Sequence, residues 1–241
     1  GKGGAIHGKW ANKPTADEVL QMLKEGNERF HSGQAIHPHA DAARLALAGK
    51  ENQRDHAYAT IIGCADSRVP VELVFDAGVM DLFVIRVAGN VVDTDEAGSI
   101  EYGLAHVWAP VLVVLGHTQC GAVTAVSKML EGKGDKLETN IPPLVDNIIP
   151  AVKRAQERHQ DLHGAELIPY SIEENVWQSI NDLFMQSPTA RKLVNEGKTK
   201  VVAAIYDVAT GKIDWLDTAK VDDILKRVES SPDKQIKAFA D

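Results

Sequence analysis

Only two cysteines, Cys64 and Cys120, occur in 241 residues, so no disulfide framework organises this chain. A single bridge between them stays open, should the two meet in space. No apolar run approaches the roughly 18 residues that a membrane-crossing helix requires. Positive charge is in short supply: 26 Lys and Arg stand against 34 Asp and Glu, for a net charge of −8. Without a basic stripe to neutralise phosphates, electrostatic binding of nucleic acid is excluded. No charged-then-apolar signal segment is present, and the chain begins at Gly1 rather than Met. The compartment therefore stays open: cytoplasmic, or periplasmic if a signal segment once preceded Gly1. Internal repeats and Pro/Ser-rich linkers are also lacking, which favours one domain with ample core over two.

What is present is an alternation of apolar runs and helical patterns. Residues 1–14, rich in Gly, Lys and His, read as a loose N-terminal arm, followed by one domain over residues 15–241. The capping box Thr15-Ala16-Asp17-Glu18 opens a helix carrying Val19, Leu20, Leu23 and Phe30 on one side. Residues 31–50 read as a polar, Ala-rich connection. Buried strands are predicted over residues 58–64, 82–87 and 111–115, and a hairpin-like pair over 200–208 and 212–216. Helices are predicted over about 96–108, after Cys120, near Pro143, and from a second capping box at Ser171-Ile172-Glu173-Glu174. A further short one is opened by Ser187-Pro188 and ends by Gly197. Near-continuous apolar strands between helices indicate an α/β fold with a mainly parallel sheet and an antiparallel C-terminal edge.

Two motifs fall at the C-terminal ends of predicted strands, where ligands gather in such sheets. One is Cys64-Ala65-Asp66-Ser67-Arg68; the other is Gly116-His117-Thr118-Gln119-Cys120-Gly121. Cys64, His117 and Cys120 together make a Cys₂His donor set, which leaves one position of a tetrahedral zinc open to solvent. Cys120 precedes a helix, whose dipole favours the thiolate that a metal needs. Asp66, two residues from a ligand, has two options. It can take the open position as a fourth ligand and close the site, or pair bidentately with Arg68 and leave the site open. Taken singly, each of these residues has a plainer reading: Cys64 as a small core residue, Asp66 and Arg68 as a surface ion pair. A permanently closed, structural zinc is the strongest alternative for the set. A large core has little need of such a staple.

In this order and on these strand ends, the two motifs resemble those of the β-class carbonic anhydrases. The likeness extends through Arg86-Val87-Ala88-Gly89-Asn90 and Gly98-Ser99-Ile100-Glu101-Tyr102-Gly103 to the segment around Tyr206-Asp207 and Gly211, over roughly residues 15 to 217. The resemblance implies a lyase holding one Zn²⁺ per chain and interconverting carbon dioxide and bicarbonate by zinc-bound hydroxide. It implies a homodimer or homotetramer with active sites at the dimer interface. Position by position, it makes Cys64, His117 and Cys120 the metal ligands and Asp66 with Arg68 the catalytic dyad. Phe83, Ala88, Tyr102 and the Gly121 N–H become the substrate pocket, lined in part across the dimer.

There are departures. Where the family commonly has a pocket Gln, nine residues before the first cysteine, this chain has Asp55, with Gln53 two residues earlier. Ala88 stands where Val is frequent, and Ile61 replaces the Trp associated with a non-catalytic bicarbonate site. Two alternatives share the same donors: a zinc hydrolase acting on carbonyl sulfide or carbon disulfide, and a non-catalytic zinc-stabilised interaction protein. No histidine is singled out by sequence as a proton shuttle.

Overall fold

The computed structural model describes residues 8–241. In chain order the main elements are α1 (Ala16–His31), α2 (Ala42–Ala48), β1 (Ala59–Cys64), α3 (Val71–Val74) and β2 (Leu82–Val87). Then come α4 (Thr94–Ala105), β3 (Val111–His117), α5 (Gly121–Leu130), α6 (Ile141–Val145) and α7 (Ile149–Arg158). The chain continues through α8 (Ile168–Gln186), α9 (Pro188–Asn195), β4 (Lys200–Tyr206), β5 (Ile213–Trp215) and α10 (Thr218–Glu229).

The five strands form one sheet in the order β2-β1-β3-β4-β5, parallel throughout except for β5, which runs antiparallel to β4. Every residue of β1 and β3 is buried, as two-sided coverage by helices demands of central strands. Alternation along the strands splits the core in two. Ile62, Leu112 and Val114 face α4, α8 and α10, while Ile61, Val113 and Leu115 face α1 and α3. Between β1 and β3, Ile62 pairs with Val114, and the same offset carried forward sets Cys64 beside Gly116. Both motifs therefore finish at one height, at the C-terminal edge of the sheet.

The α1 capping box is formed in both directions, and Ser187 caps α9 ahead of Pro188 as expected. The second capping box is not used. α8 starts at Ile168, three residues before Ser171, because Pro169 in its first turn presets the helical φ. α4 is shifted as well: Asp93 caps it with Glu96 as its reciprocal partner, and the chain leaves the helix before Trp108, which has φ +61°. The polar connection contains α2, capped by Asp41, and α3 follows the first motif; both are too short to show a period. Of the expected arm, residues 1–7 lie outside the described residues. Trp10 packs into the core, and the Lys13 ammonium donates to the carbonyls of Ala57 and Val107 (2.9 Å for the latter). Burial, partly offset by Asp55, lowers the Lys13 pKa to about 8.

Asn27 of α1 fixes that helix to the sheet. Its amide donates to the carbonyls of Val74 (3.1 Å) and Gly211 (2.8 Å), and its oxygen accepts from the Ile213 N–H (3.1 Å). The neighbouring Gly26 packs so closely on Phe75 that a Cβ would lie 1.9 Å from its carbonyl oxygen. Asn27→Ala takes the partner from three backbone groups, two of them buried, and is expected to cost about 3 kcal/mol. Urea unfolding of the variant at unchanged zinc content measures it.

Candidate metal centre

Cys64 ends β1, His117 ends β3, and Cys120 is the N-cap of α5. The turn between His117 and Cys120 reverses through Gln119 at φ +58°, which brings the ligand atoms of all three residues within 4.8 Å of one another. All three are buried, at 4%, 1% and 1% exposure, with Val91, Val123 and Ile148 around them. The cysteines are free, so the bridge left open by the sequence is not formed.

The donors fit a soft divalent cation. His117 Nδ1–H donates to the Thr118 carbonyl at 2.8 Å, which fixes the tautomer, and the lone pair of Nε2 is left on the cysteine side. Nε2 is buried and has no hydrogen-bond partner. A metal bond answers that deficit. The sulfurs pose the same demand. Cys64 is held well below its ordinary pKa, first by the hydrogen bond from Cys120 and further by the Gly89 N–H. The same Cys64 sulfur, together with burial, pushes Cys120 up. A cation between two buried sulfurs favours the thiolate form of both. The zinc site is Cys64, His117 and Cys120.

Beside it stands Asp66, whose Oδ2 lies 3.9 Å from His117 Nε2. Its carboxylate is turned to Arg68. Oδ1 accepts from the Arg68 backbone N–H (2.8 Å) and Nε (3.0 Å), and Oδ2 accepts from a terminal N–H at 2.7 Å. These bonds, the side-chain ones foremost, hold its pKa down to about 2. Two residues that the sequence did not mark complete this frame. Gln119 accepts from Arg68 through its side-chain oxygen and its carbonyl, both at 3.0 Å. Arg86 donates to the carbonyls of Cys64 (2.9 Å) and Asp66 (2.7 Å) and so pins the first motif to β2. Arg86 was visible as a charge within an apolar strand; Gln119 gave no signal beyond its place between two ligands.

The expected pocket residues divide into two groups. Gly121 opens α5 with open space where a side chain would stand, and Ala88 precedes Gly89, whose N–H donates to Cys64 Sγ at 3.3 Å. Phe83 and Tyr102 are not at this chain's own centre. Phe83 pairs with Thr60, four residues before Cys64, which is about 13 Å along the strand. It stacks on Tyr102 at 5.8 Å on the β2 edge, where Tyr102 is 52% exposed. Gln53 and Asp55 occupy a single helical turn just before β1, at the opposite end of the sheet from Cys64. Ile61 is fully buried between the sheet and α1.

With this geometry in view, the comparisons agree. The carbonic anhydrase family profile matches residues 59–213. A carbonic anhydrase of Mycolicibacterium smegmatis is 32% identical over 80% of this chain and 90% of its own length. Carbonic anhydrase 2 of Mycobacterium tuberculosis is 33% identical over 80% of this chain and 88% of its own. Among solved structures, the β-carbonic anhydrase CafA of Aspergillus fumigatus superposes with a TM-score of 0.64 at 26% identity, covering 88% of this chain and 97% of that one. Tetrameric β-carbonic anhydrases of Sordaria macrospora share the fold at 22% identity, with a TM-score of 0.63, covering 83% of this chain and 97% of that one. The ligand set, the sheet order and the matched span lead to one conclusion: the chain belongs to the carbonic anhydrase family, in its β class, and is a zinc enzyme that interconverts carbon dioxide and bicarbonate.

Proposed function

We propose that residues 15–241 act as one catalytic domain in which Asp66 and Arg68 direct the hydration step, and that a homodimer completes the pocket. The observation that carries the first reading is the bidentate Asp66–Arg68 pair beside the three donors. Zinc held by Cys64, His117 and Cys120 supplies a Lewis acid that eases loss of a proton from water. Asp66, kept ionised by Arg68, would accept a hydrogen bond from water at such a centre and so orient it toward carbon dioxide. Arg68 holds the carboxylate in the rotamer that leaves room for the water, and Gln119 holds Arg68. The Gly121 N–H lies in the first turn of α5, where a helix leaves donors without partners of its own. It is suited to the negative oxygen that develops on the substrate. Burial by Val91, Val123 and Ile148 keeps the surroundings apolar, which suits a neutral linear substrate.

The second reading is supported by β2. It is an outer strand of the sheet, apolar in sequence yet partly exposed, and it carries Phe83. An unpaired apolar edge of this kind is a ready surface for a second copy. Phe83 and Tyr102 lie too far from their own centre to touch its substrate, so they line a pocket only if it belongs to the partner subunit. Ala88 and Gly121 contribute the wall from within the chain. The Sordaria relatives are tetramers, and a pair of such dimers is the corresponding assembly here.

Asp66→Asn is expected to lower kcat by about 100-fold or more at unchanged zinc content, since general acid–base contributions are of that order. Arg68→Lys, which keeps the charge but loses the fork, should also lower kcat. Stopped-flow hydration assays with metal analysis check both, and full activity in Asp66→Asn overturns the dyad. Because the Asp66 pKa is depressed to about 2, the carboxylate is charged across the neutral range. A rise in kcat/KM with pH in that range is therefore expected to survive Arg68→Lys. Dipicolinate extraction should abolish turnover, and one equivalent of zinc per chain should restore it. Phe83→Glu on the β2 edge is expected to shift the sedimentation coefficient toward the monomer and to reduce turnover with it.

A further inference from the structure

Two side chains of α8 hold the backbone of the loop that follows β2, at adjacent residues. The Asn175 amide donates to the Gly89 carbonyl at 2.8 Å. The Ser179 hydroxyl shares its hydrogen between the Asn90 carbonyl at 2.8 Å and the Asn175 carbonyl at 2.9 Å. Asn175 and Ser179 are both buried and lie one turn apart on one face of α8. The loop needs such holding. Gly89 stands at φ +78° and Asn90 at φ +43°, two left-handed residues in succession, and for Asn90 that conformation persists only while its surroundings impose it. A Cβ at Gly89 would lie 2.8 Å from Ile148 Cδ1 and 3.1 Å from Ala122 Cβ, so the loop is also closely packed against its neighbours. At its other end, the Gly89 N–H donates to Cys64 Sγ at 3.3 Å. Gly89 thus joins a buried amide of α8 to a metal ligand on β1.

We propose that Asn175, assisted by Ser179, is a positioning residue of the metal centre: it keeps the loop in the conformation that aims the Gly89 N–H at Cys64 Sγ. That N–H draws charge from the sulfur and fixes the direction in which its remaining lone pairs point. Once the Gly89 carbonyl is released, the left-handed loop relaxes and the N–H leaves the sulfur. The Cys64 thiolate is then freer to turn and richer in electrons. Groups that orient ligands from behind in this way are commonly worth roughly 10- to 100-fold in metal affinity or activity. The inference rests on the three metal ligands and not on the dyad, so an active Asp66→Asn would leave it standing.

Asn175→Leu keeps the size of the side chain and removes its donor. Two measurements follow the sulfur: the thiolate-to-metal charge-transfer band of the Co(II)-substituted protein, and zinc affinity in competition with a chelator. The band moves to lower energy as the sulfur grows richer in electrons, so a red shift is expected, with zinc affinity weaker by about tenfold. Ser179→Ala, the milder change, should move the band the same way by less. Val228→Ala opens a cavity in the core on α10, which supplies none of these groups, and should lower the melting temperature while leaving the band in place. An unmoved band in a folded Asn175→Leu, or an equal shift in Val228→Ala, overturns the positioning role. If Asn175→Leu does not fold, Ser179→Ala decides, and an unmoved band there overturns it as well. A red-shifted band at wild-type zinc affinity overturns the effect on affinity and upholds the aiming of the N–H.

Discussion

Three donor atoms from segments 53 positions apart meet around one point because two parallel strands end at the same height. The offset that pairs Ile62 with Val114 is set by burial: β1 and β3 are covered on both faces, and a slip of one residue would turn each strand's core face over. The register of two apolar runs is thus the condition for the metal centre. Cys64 needs nothing beyond its place at the end of β1, and His117 nothing beyond the end of β3. Cys120 adds the turn through Gln119. The burial that holds the register also withdraws the sulfurs and Nε2 from water, which makes them depend on a cation.

That dependence creates a hazard, since a carboxylate 3.9 Å from His117 Nε2 is itself a competent ligand. Two arginines restrain it from different directions. Arg68 engages both carboxylate oxygens, so leaving for the metal would cost charge-assisted bonds of the stronger kind. Arg86 acts on the backbone instead, holding the carbonyls on either side of the turn at Ala65. A lysine at either place could offer a charge but no fork. The orientation of Asp66 is therefore written in planar, multidentate geometry more than in net electrostatics.

Sequence reading recovered what depends on local pattern. The strand interiors, the α1 capping box, the Ser187 cap and the placement of both motifs on strand ends all express burial periodicity or a hydrogen bond spanning a few residues. It failed where a local signal met a competing one. Ser171 and Glu174 carry the letters of a cap, yet Pro169 starts the helix earlier and Ser171 is enclosed within it. Trp108 extends the apolar stripe of α4, but a positive φ takes it out of the helix. At the centre, the ligands were legible because their chemistry is rare. Gln119 was not, since its contribution is a carbonyl and an amide oxygen reaching an arginine 51 residues away. No pattern in the chain encodes that contact.

The acidic balance of the chain acts differently on the two forms of the substrate. Carbon dioxide is neutral and indifferent to a net charge of −8, so access is governed by the apolar walls. Bicarbonate carries a charge and is repelled, though only within the screening length of about 8 Å in physiological salt. Inside that distance the nearest charges count most, and on the strand-end turn these are Arg86 and the Asp66–Arg68 pair, whose two charges offset each other. The chain's net charge thus distinguishes the two forms of the substrate at long range, while the ion pair beside the three donors adds no net charge of its own.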